Sequence, residues 1–147
     1  MQKKKAFAIC LTKLKKKIGI PNVVLYNPSA RVRGKINEIN ISQVKEAVNI
    51  TVLGAFVTAQ EAAKRMVPQK KGAIFFTGAT ASIKGFPESS VFAMGKFALR
   101  GLAQSLYREL SPLGIHIAHF IIDGVVKKTF LNDDSDNLTS VAIAKTY

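Results

Sequence analysis

Phe92 and Lys96 lie four residues apart in the run Phe92-Ala93-Met94-Gly95-Lys96, a spacing that on a helix turns both side chains to one face. The lysine brings charge to that face. The phenylalanine has no proton to give, and by its burial tendency alone reads as a core aromatic. Ser82 is the nearest serine upstream, in a stretch where a solvated loop serine and a catalytic one are both open readings. His116 and His119 fall at odd spacing in one apolar run, so on a strand they face opposite sides and cannot share a metal. No zinc-ligand spacing occurs, and no metal site is expected. No two glycines are separated by a single residue, which removes the glycine-rich turn that cradles a diphosphate on backbone N–H groups. Three Asn-x-Ser/Thr triplets, at Asn40, Asn49 and Asn137, match the glycosylation pattern but have no sign of secretion beside them.

The elements that must position these residues follow from punctuation and periodicity. Ala73 to Phe76 is a short apolar run between Lys70-Lys71-Gly72 and Thr77-Gly78, as a buried strand requires. Ser89 or Ser90 then caps a helix with Ala93, Phe97, Leu99, Leu102, Ala103 and Leu106 at helical spacing. Upstream, Pro21-Asn22-Val23-Val24-Leu25-Tyr26 reads as a short buried strand ended by the turn Asn27-Pro28-Ser29. Ser42 caps a long helix with a wide apolar band, running to about Met66, and Pro68 ends it. Ile115 to Ile122 forms a third strand, broken at Asp123-Gly124, and a short helix starts near Leu138. Crossovers of this length require parallel pairing, and right-handed ones place helices over the sheet. The expectation is one domain over residues 1–147 in the α/β class. It is a partial Rossmann-like, three-layer fold with a parallel sheet of about three strands flanked by helices. Ligands of such sheets gather where the strands end.

The net charge of +13 on 147 residues is unusual, and much of it sits between Lys3 and Lys17, before the first acidic residue, Glu38. Phe7, Leu11, Leu14 and Ile18 at helical spacing make that segment a basic amphipathic helix. Its readings are nucleic-acid contact, an anionic membrane surface, a presequence, or a surface helix packing its apolar stripe on the sheet. The absence of arginine before Arg31 argues against the presequence. There is no support for sequence-specific nucleic-acid binding, and no apolar run approaches the roughly 18 residues of a membrane span. A single cysteine, Cys10, excludes an internal disulfide and fits a reducing compartment, so a cytoplasmic location is expected.

Taken in order, VVLYNPSARVRG (Val23 to Gly34), NITVLGAFVTAQ (Asn49 to Gln60), FTGATAS, FAMGKFALRGLAQSLYREL and GIHIAHFIIDG resemble the short-chain dehydrogenase/reductases. The resemblance covers roughly Val23 to Val126 and implies the central part of a Rossmann sheet with a catalytic Asn, Ser, Tyr and Lys around the nicotinamide of NAD or NADP. The family's first βαβαβ half, with its glycine turn, has no counterpart in the sequence.

Carried over position by position, the family's Tyr-x-x-x-Lys stands here as Phe92 and Lys96. In that arrangement the tyrosine passes a proton to or from the substrate oxygen, and the lysine lowers the hydroxyl's pKa and holds the cofactor ribose. Tyr107 shares the Lys96 face but lies roughly 16 Å further along the helix and cannot substitute. Ala79 occupies the serine slot, with Ser82 three positions late, and Thr51 occupies the asparagine slot. The resemblance gives Asn27, Thr77, Gly78, Lys96 and Gly124 as cofactor contacts. It implies an NAD(P)-linked oxidoreductase acting on a small molecule, weak or inactive as this chain. The alternative is a non-catalytic binding or assembly module (a pseudoenzyme or fragment of the same family), and more remotely a basic module for an anionic partner. The family's usual pairing of helices implies a homo-oligomer through residues 42–66 and 90–110.

Overall fold

The computed structural model describes residues 19–124, 126–127 and 138–147. The basic segment expected as an amphipathic helix, Lys3 to Ile18, lies outside the described residues.

Three parallel strands form the main sheet in the order β1-β2-β3: β1 (Val23–Tyr26), β2 (Gly72–Ala79) and β3 (Ile115–Ile122). Val23 pairs with Ala73 on one side of β2, and Gly72 pairs with Ile115 on the other. β2 runs past the apolar Ala73 to Phe76 core through Thr77, Gly78 and Ala79, because all eight of its residues find partners on β3. A second parallel pair, β4 (Val126–Lys127) with β5 (Leu138–Thr139), follows the break at Asp123-Gly124.

Between β1 and β2 the expected long helix is present but interrupted. Helix α1 (Ile41–Val48) passes through a π turn, Asn49–Leu53, into α2 (Gly54–Met66). Its cap is Asn40 rather than Ser42: the Asn40 side chain accepts from both the Ser42 N–H and the Ser42 hydroxyl, each at 2.8 Å. Asparagine two residues earlier supplies the same orphan-donor chemistry that the serine was expected to supply. Pro68 sits in the single 3-10 turn that closes α2. Helix α3 (Ser90–Leu110) follows the cap residue Ser89, and α4 (Ser140–Ala144) is capped by the Thr139 hydroxyl. The sheet is thus flanked by helices, as an open α/β fold demands.

Alternation along the strands decides which face is dry. Ile74, Phe76, Ile115 and Ile117 pack against Ala55, Ala59, Ala62 and Met66 of α2 and Leu99, Ala103 and Leu110 of α3, with Tyr26 closing one end. Small alanines on the helices let the backbones approach the strands closely. The opposite face carries an aromatic row in which Phe75 meets His116 and Phe120 edge-on, with centroids at 5.9 and 5.4 Å. Tyr147 extends that row, its ring 4.5 Å from Phe120.

The outer faces of the two long helices are apolar as well. Phe56, Met94 and Phe97 are each close to half exposed. Among the described residues no helix is long and apolar enough to cross a membrane.

Candidate functional site at the strand ends

A cleft of about 700 Å³ opens at the C-terminal ends of the strands. The loop after β1 brings Asn27, Ser29 and Arg31; the end of β2 brings Thr77, Gly78 and Ala79; α3 brings Phe92 and Lys96; and Gly124 follows β3. Seven of the residues singled out from the sequence therefore converge: Asn27, Thr77, Gly78, Ala79, Phe92, Lys96 and Gly124. Phe92 lines this cleft instead of packing in the core.

Lys96 is buried, with 3 % of its surface exposed, yet its Nζ reaches the cleft. The ammonium donates to the Thr77 carbonyl at 2.7 Å and lies 5.6 Å from the centre of the Phe92 ring. The Arg31 guanidinium lies 4.9 Å from the same ring centre. Phe92 thus has two cations within cation–π range of its ring, a contact the π face of an aromatic ring favours. Burial disfavours the charged form of Lys96 and pulls its pKa down to about 8. No Asp or Glu side chain lines the cleft among the described residues.

Thr51 and Ser82 stand behind this wall rather than in it. Thr51, on the π turn, accepts the Ala30 N–H at 3.1 Å and so ties the loop after β1 to the helix. A Cβ on Gly95 would come within 3.1 Å of Thr51 Cγ2, so α3 approaches the π turn as closely as a glycine permits. Ser82 is fully buried; its hydroxyl accepts the Ala79 N–H at 3.1 Å and lies 3.4 Å from His119 Nε2. These contacts make it a brace for the turn after β2. Gly78 has its own packing reason, since a Cβ there would sit 2.5 Å from the His119 ring. His119 is pushed towards its neutral form first by burial, then by the charges of Lys96 and Arg100. Among the described residues no group of three or more His, Cys, Asp or Glu side chains is arranged to hold a metal.

Several cleft residues carried no signal in the sequence. Arg31 read as loop continuation. Tyr147 arrives from far along the chain, its hydroxyl 2.6 Å from Thr77 Oγ1, and Ile143 and Ala144 of α4 come with it. Nothing local to Tyr147 pairs it with a residue seventy positions earlier.

Comparison with known proteins agrees with this geometry. The family model described as short chain dehydrogenase matches residues 1–138. The chain is 35 % identical over 75 residues to "Short chain aldehyde dehydrogenase 1" of Euphorbia lathyris, covering 51 % of this chain and 26 % of the relative. It is 30 % identical over 111 residues to "L-2,3-butanediol dehydrogenase" of Corynebacterium glutamicum, covering 75 % and 43 %. Among solved structures, "ElxO with NADP Bound" superposes with a TM-score of 0.81 at 23 % identity, covering 84 % of this chain and 50 % of that one. The chain thus spans less than half the length of these curated relatives and about half of that structure. On the strength of the match over residues 1–138 and of the cleft that the fold builds from the matching segments, the chain belongs to the short chain dehydrogenase family.

Proposed function

We propose that the chain carries the nicotinamide end of an NAD(P)-linked oxidoreductase cleft, and that hydride transfer by the chain itself is weak or absent. The observation that carries this reading is Lys96 fixed on the Thr77 carbonyl beside Phe92, an amine in place with a phenylalanine rather than a phenol at the matching position of its own helix.

The donor set fits part of the cofactor. The Asn27 amide, the Ser29 and Thr77 hydroxyls and the Lys96 ammonium suit a carboxamide and a ribose. For the diphosphate, Arg31 is the one further cation among the described lining residues, and the sequence has no glycine-x-glycine turn. When bound, the nicotinamide supplies or takes up a hydride. In this chain Lys96 would hold the ribose, and Ala79 and Thr51 would leave the substrate oxygen without the family's hydroxyl and amide. Phe92 would offer that oxygen no proton.

The same features support a second reading, a non-catalytic binding or assembly module of the family. A groove between α2 and α3, lined by Phe56, Ala63, Val67, Leu102, Leu106 and Leu113, is the surface such a module would use to pair with a second copy. A cytoplasmic location remains the proposal for either reading, on the strength of the lone cysteine.

Nuclear magnetic resonance titration with NADPH tests the site. Fast-exchange shifts confined to Asn27, Thr77, Gly78, Lys96 and Gly124, with no saturation below about millimolar, are expected from a site lacking its phosphate cradle. Shifts scattered over the surface would overturn the site assignment, and a micromolar isotherm would overturn the weak binding. Turnover assays with alcohols, ketones and sugars should stay at background. A missing general acid removes about 10²–10⁴ in rate before other losses are counted.

A further inference from the structure

We propose that Lys96 is a nucleophilic amine that forms a reversible imine with small aldehydes or ketones entering the cleft. The proposal shares the carbonyl-binding cleft of the oxidoreductase reading but uses no nicotinamide, so the two stand or fall on separate measurements.

Four observations converge on it. Lys96 is buried, yet its Nζ borders a cleft of about 700 Å³. That Nζ is held in one place by the Thr77 carbonyl at 2.7 Å, so a neutral amine keeps its lone pair for a ligand while one N–H is engaged. The surroundings are apolar: Leu25, Phe92, Ile122 and Ile143 form much of the wall, and no Asp or Glu side chain lines it among the described residues. Two hydroxyls, Thr77 Oγ1 and Tyr147 Oη, lie 2.6 Å apart at the same cleft and can carry a proton. A desolvated lysine in an apolar pocket beside other cationic groups is the general form of an amine activated for carbonyl chemistry.

Other basic groups lie around it. Arg31 faces it across the Phe92 ring, and His119 and Arg100 lie close enough for the His119 titration to feel both Arg100 and Lys96. Burial favours the neutral amine and holds the Lys96 pKa at about 8. At pH 7 that value makes the neutral fraction about 300-fold larger than for an ordinary lysine.

The step balances without a redox partner. The Lys96 nitrogen attacks the carbonyl carbon, the C–N bond forms, and the C–O π electrons pass to oxygen. The hydroxyl pair of Thr77 and Tyr147 delivers a proton to that oxygen and recovers one from nitrogen. The same hydroxyl pair protonates the carbinolamine hydroxyl, the C–O bond breaks to release water as the nitrogen lone pair forms C=N, and the remaining N–H proton returns to the pair. The net change is amine plus carbonyl compound to imine plus water.

Reductive trapping decides it. The full chain is incubated at pH 7 with millimolar acetone or benzaldehyde and sodium cyanoborohydride, without nicotinamide, and the alkylated lysines are mapped by peptide mass spectrometry. Lys96 should be alkylated at least about tenfold faster than the mean of the other lysines, the gain in neutral fraction being partly offset by lower intrinsic nucleophilicity. In urea that preference should vanish, since it depends on the folded cleft. Lys96→Arg should abolish the dominant single adduct. Mapping within the unsubstituted chain keeps the test decisive should that variant fold poorly. Lys96 modified no faster than the exposed lysines in the native chain would overturn the proposal. Loss of NADPH shifts in the titration above would overturn the cofactor reading and leave this result standing.

Discussion

The hydroxyl of Tyr26 donates to the main-chain carbonyl of Ile50, joining the end of β1 to the π turn between α1 and α2. A π turn shifts the helical ladder by one residue, and here the Gly54 N–H reaches back to the Asn49 carbonyl. The Ile50 carbonyl is left to find a partner outside the helix, and the phenol supplies it. The same turn presents Thr51 to the Ala30 N–H, so the phenol fixes the loop that carries Asn27, Ser29 and Arg31 into the cleft.

Tyr26→Phe should therefore destabilise the fold by about 1–2 kcal/mol, the usual cost of leaving a buried carbonyl unpaired. Urea unfolding measures it. An unchanged midpoint would show that the turn is held by packing alone.

The approach of α3 to the π turn gives a coupled pair. In Gly95→Ala the new Cβ meets Thr51 Cγ2 at 3.1 Å and Thr51 Cβ at 3.3 Å, both on a buried side chain. Overpacking of this kind costs about 1–3 kcal/mol, against up to about 1 kcal/mol gained in helix propensity. Net destabilisation is expected. Thr51→Ser removes Cγ2 and keeps the hydroxyl on Ala30, so in the double variant much of the loss should be recovered. Simple additivity of the two changes would count against the contact.

Stability should depend on pH through Lys96. Its folded pKa, about 8, lies below the unfolded value of 10.5. Below pH 8 both states are protonated and the burial penalty is felt in full. Between pH 8 and 10.5 the unfolded chain binds more protons, so stability rises with pH. Burial also raises the pKa of the Tyr26 phenol, so above pH 10 the unfolded tyrosine ionises first and the trend turns over. Thermal melts from pH 7 to 10 should show the rise in the natural chain and a flatter profile in Lys96→Met. Parallel profiles would place the origin elsewhere.

Self-association is expected through α2 and α3. Phe56, Leu102 and Leu106 line a groove on their outer faces, where an apolar surface is most readily covered by another copy. Leu106→Glu should convert a dimer into a monomer by light scattering at micromolar concentration without changing the circular dichroism. A natural chain that is already monodisperse as a monomer would defeat this expectation.

The strands were legible because each is a short apolar run between turn residues, and β3 matches its expected bounds. β2 was read short because Thr77, Gly78 and Ala79 look like loop; they stay in the sheet only because β3 offers partners as far as Ile122. The π turn was invisible, since its stabilising partner, Tyr26, lies 24 residues away. For the cleft, spacing and resemblance located Phe92, Lys96, Thr77 and Gly124. Ser82 looked available because its burial depends on the Ala79 N–H and His119, contacts no linear pattern contains. Tyr147 could not be read at all, for the same reason.

The order of the main sheet has a kinetic consequence. Every β1–β2 pair, from Val23 with Ala73 onward, joins residues fifty apart, and every β2–β3 pair, from Gly72 with Ile115 onward, joins residues forty-three apart. Among the described residues no hairpin offers an early, local pairing, so each ladder of the main sheet must wait for a long closure whose entropy is lost before any strand bond forms. Helices α2 and α3 can form within their own segments, but the sheet they cover cannot. Refolding followed by stopped-flow should run in milliseconds to seconds, with helical signal preceding burial of the core. Submillisecond acquisition of both together would mean that the chain reaches its ladders by a shorter route than its topology allows.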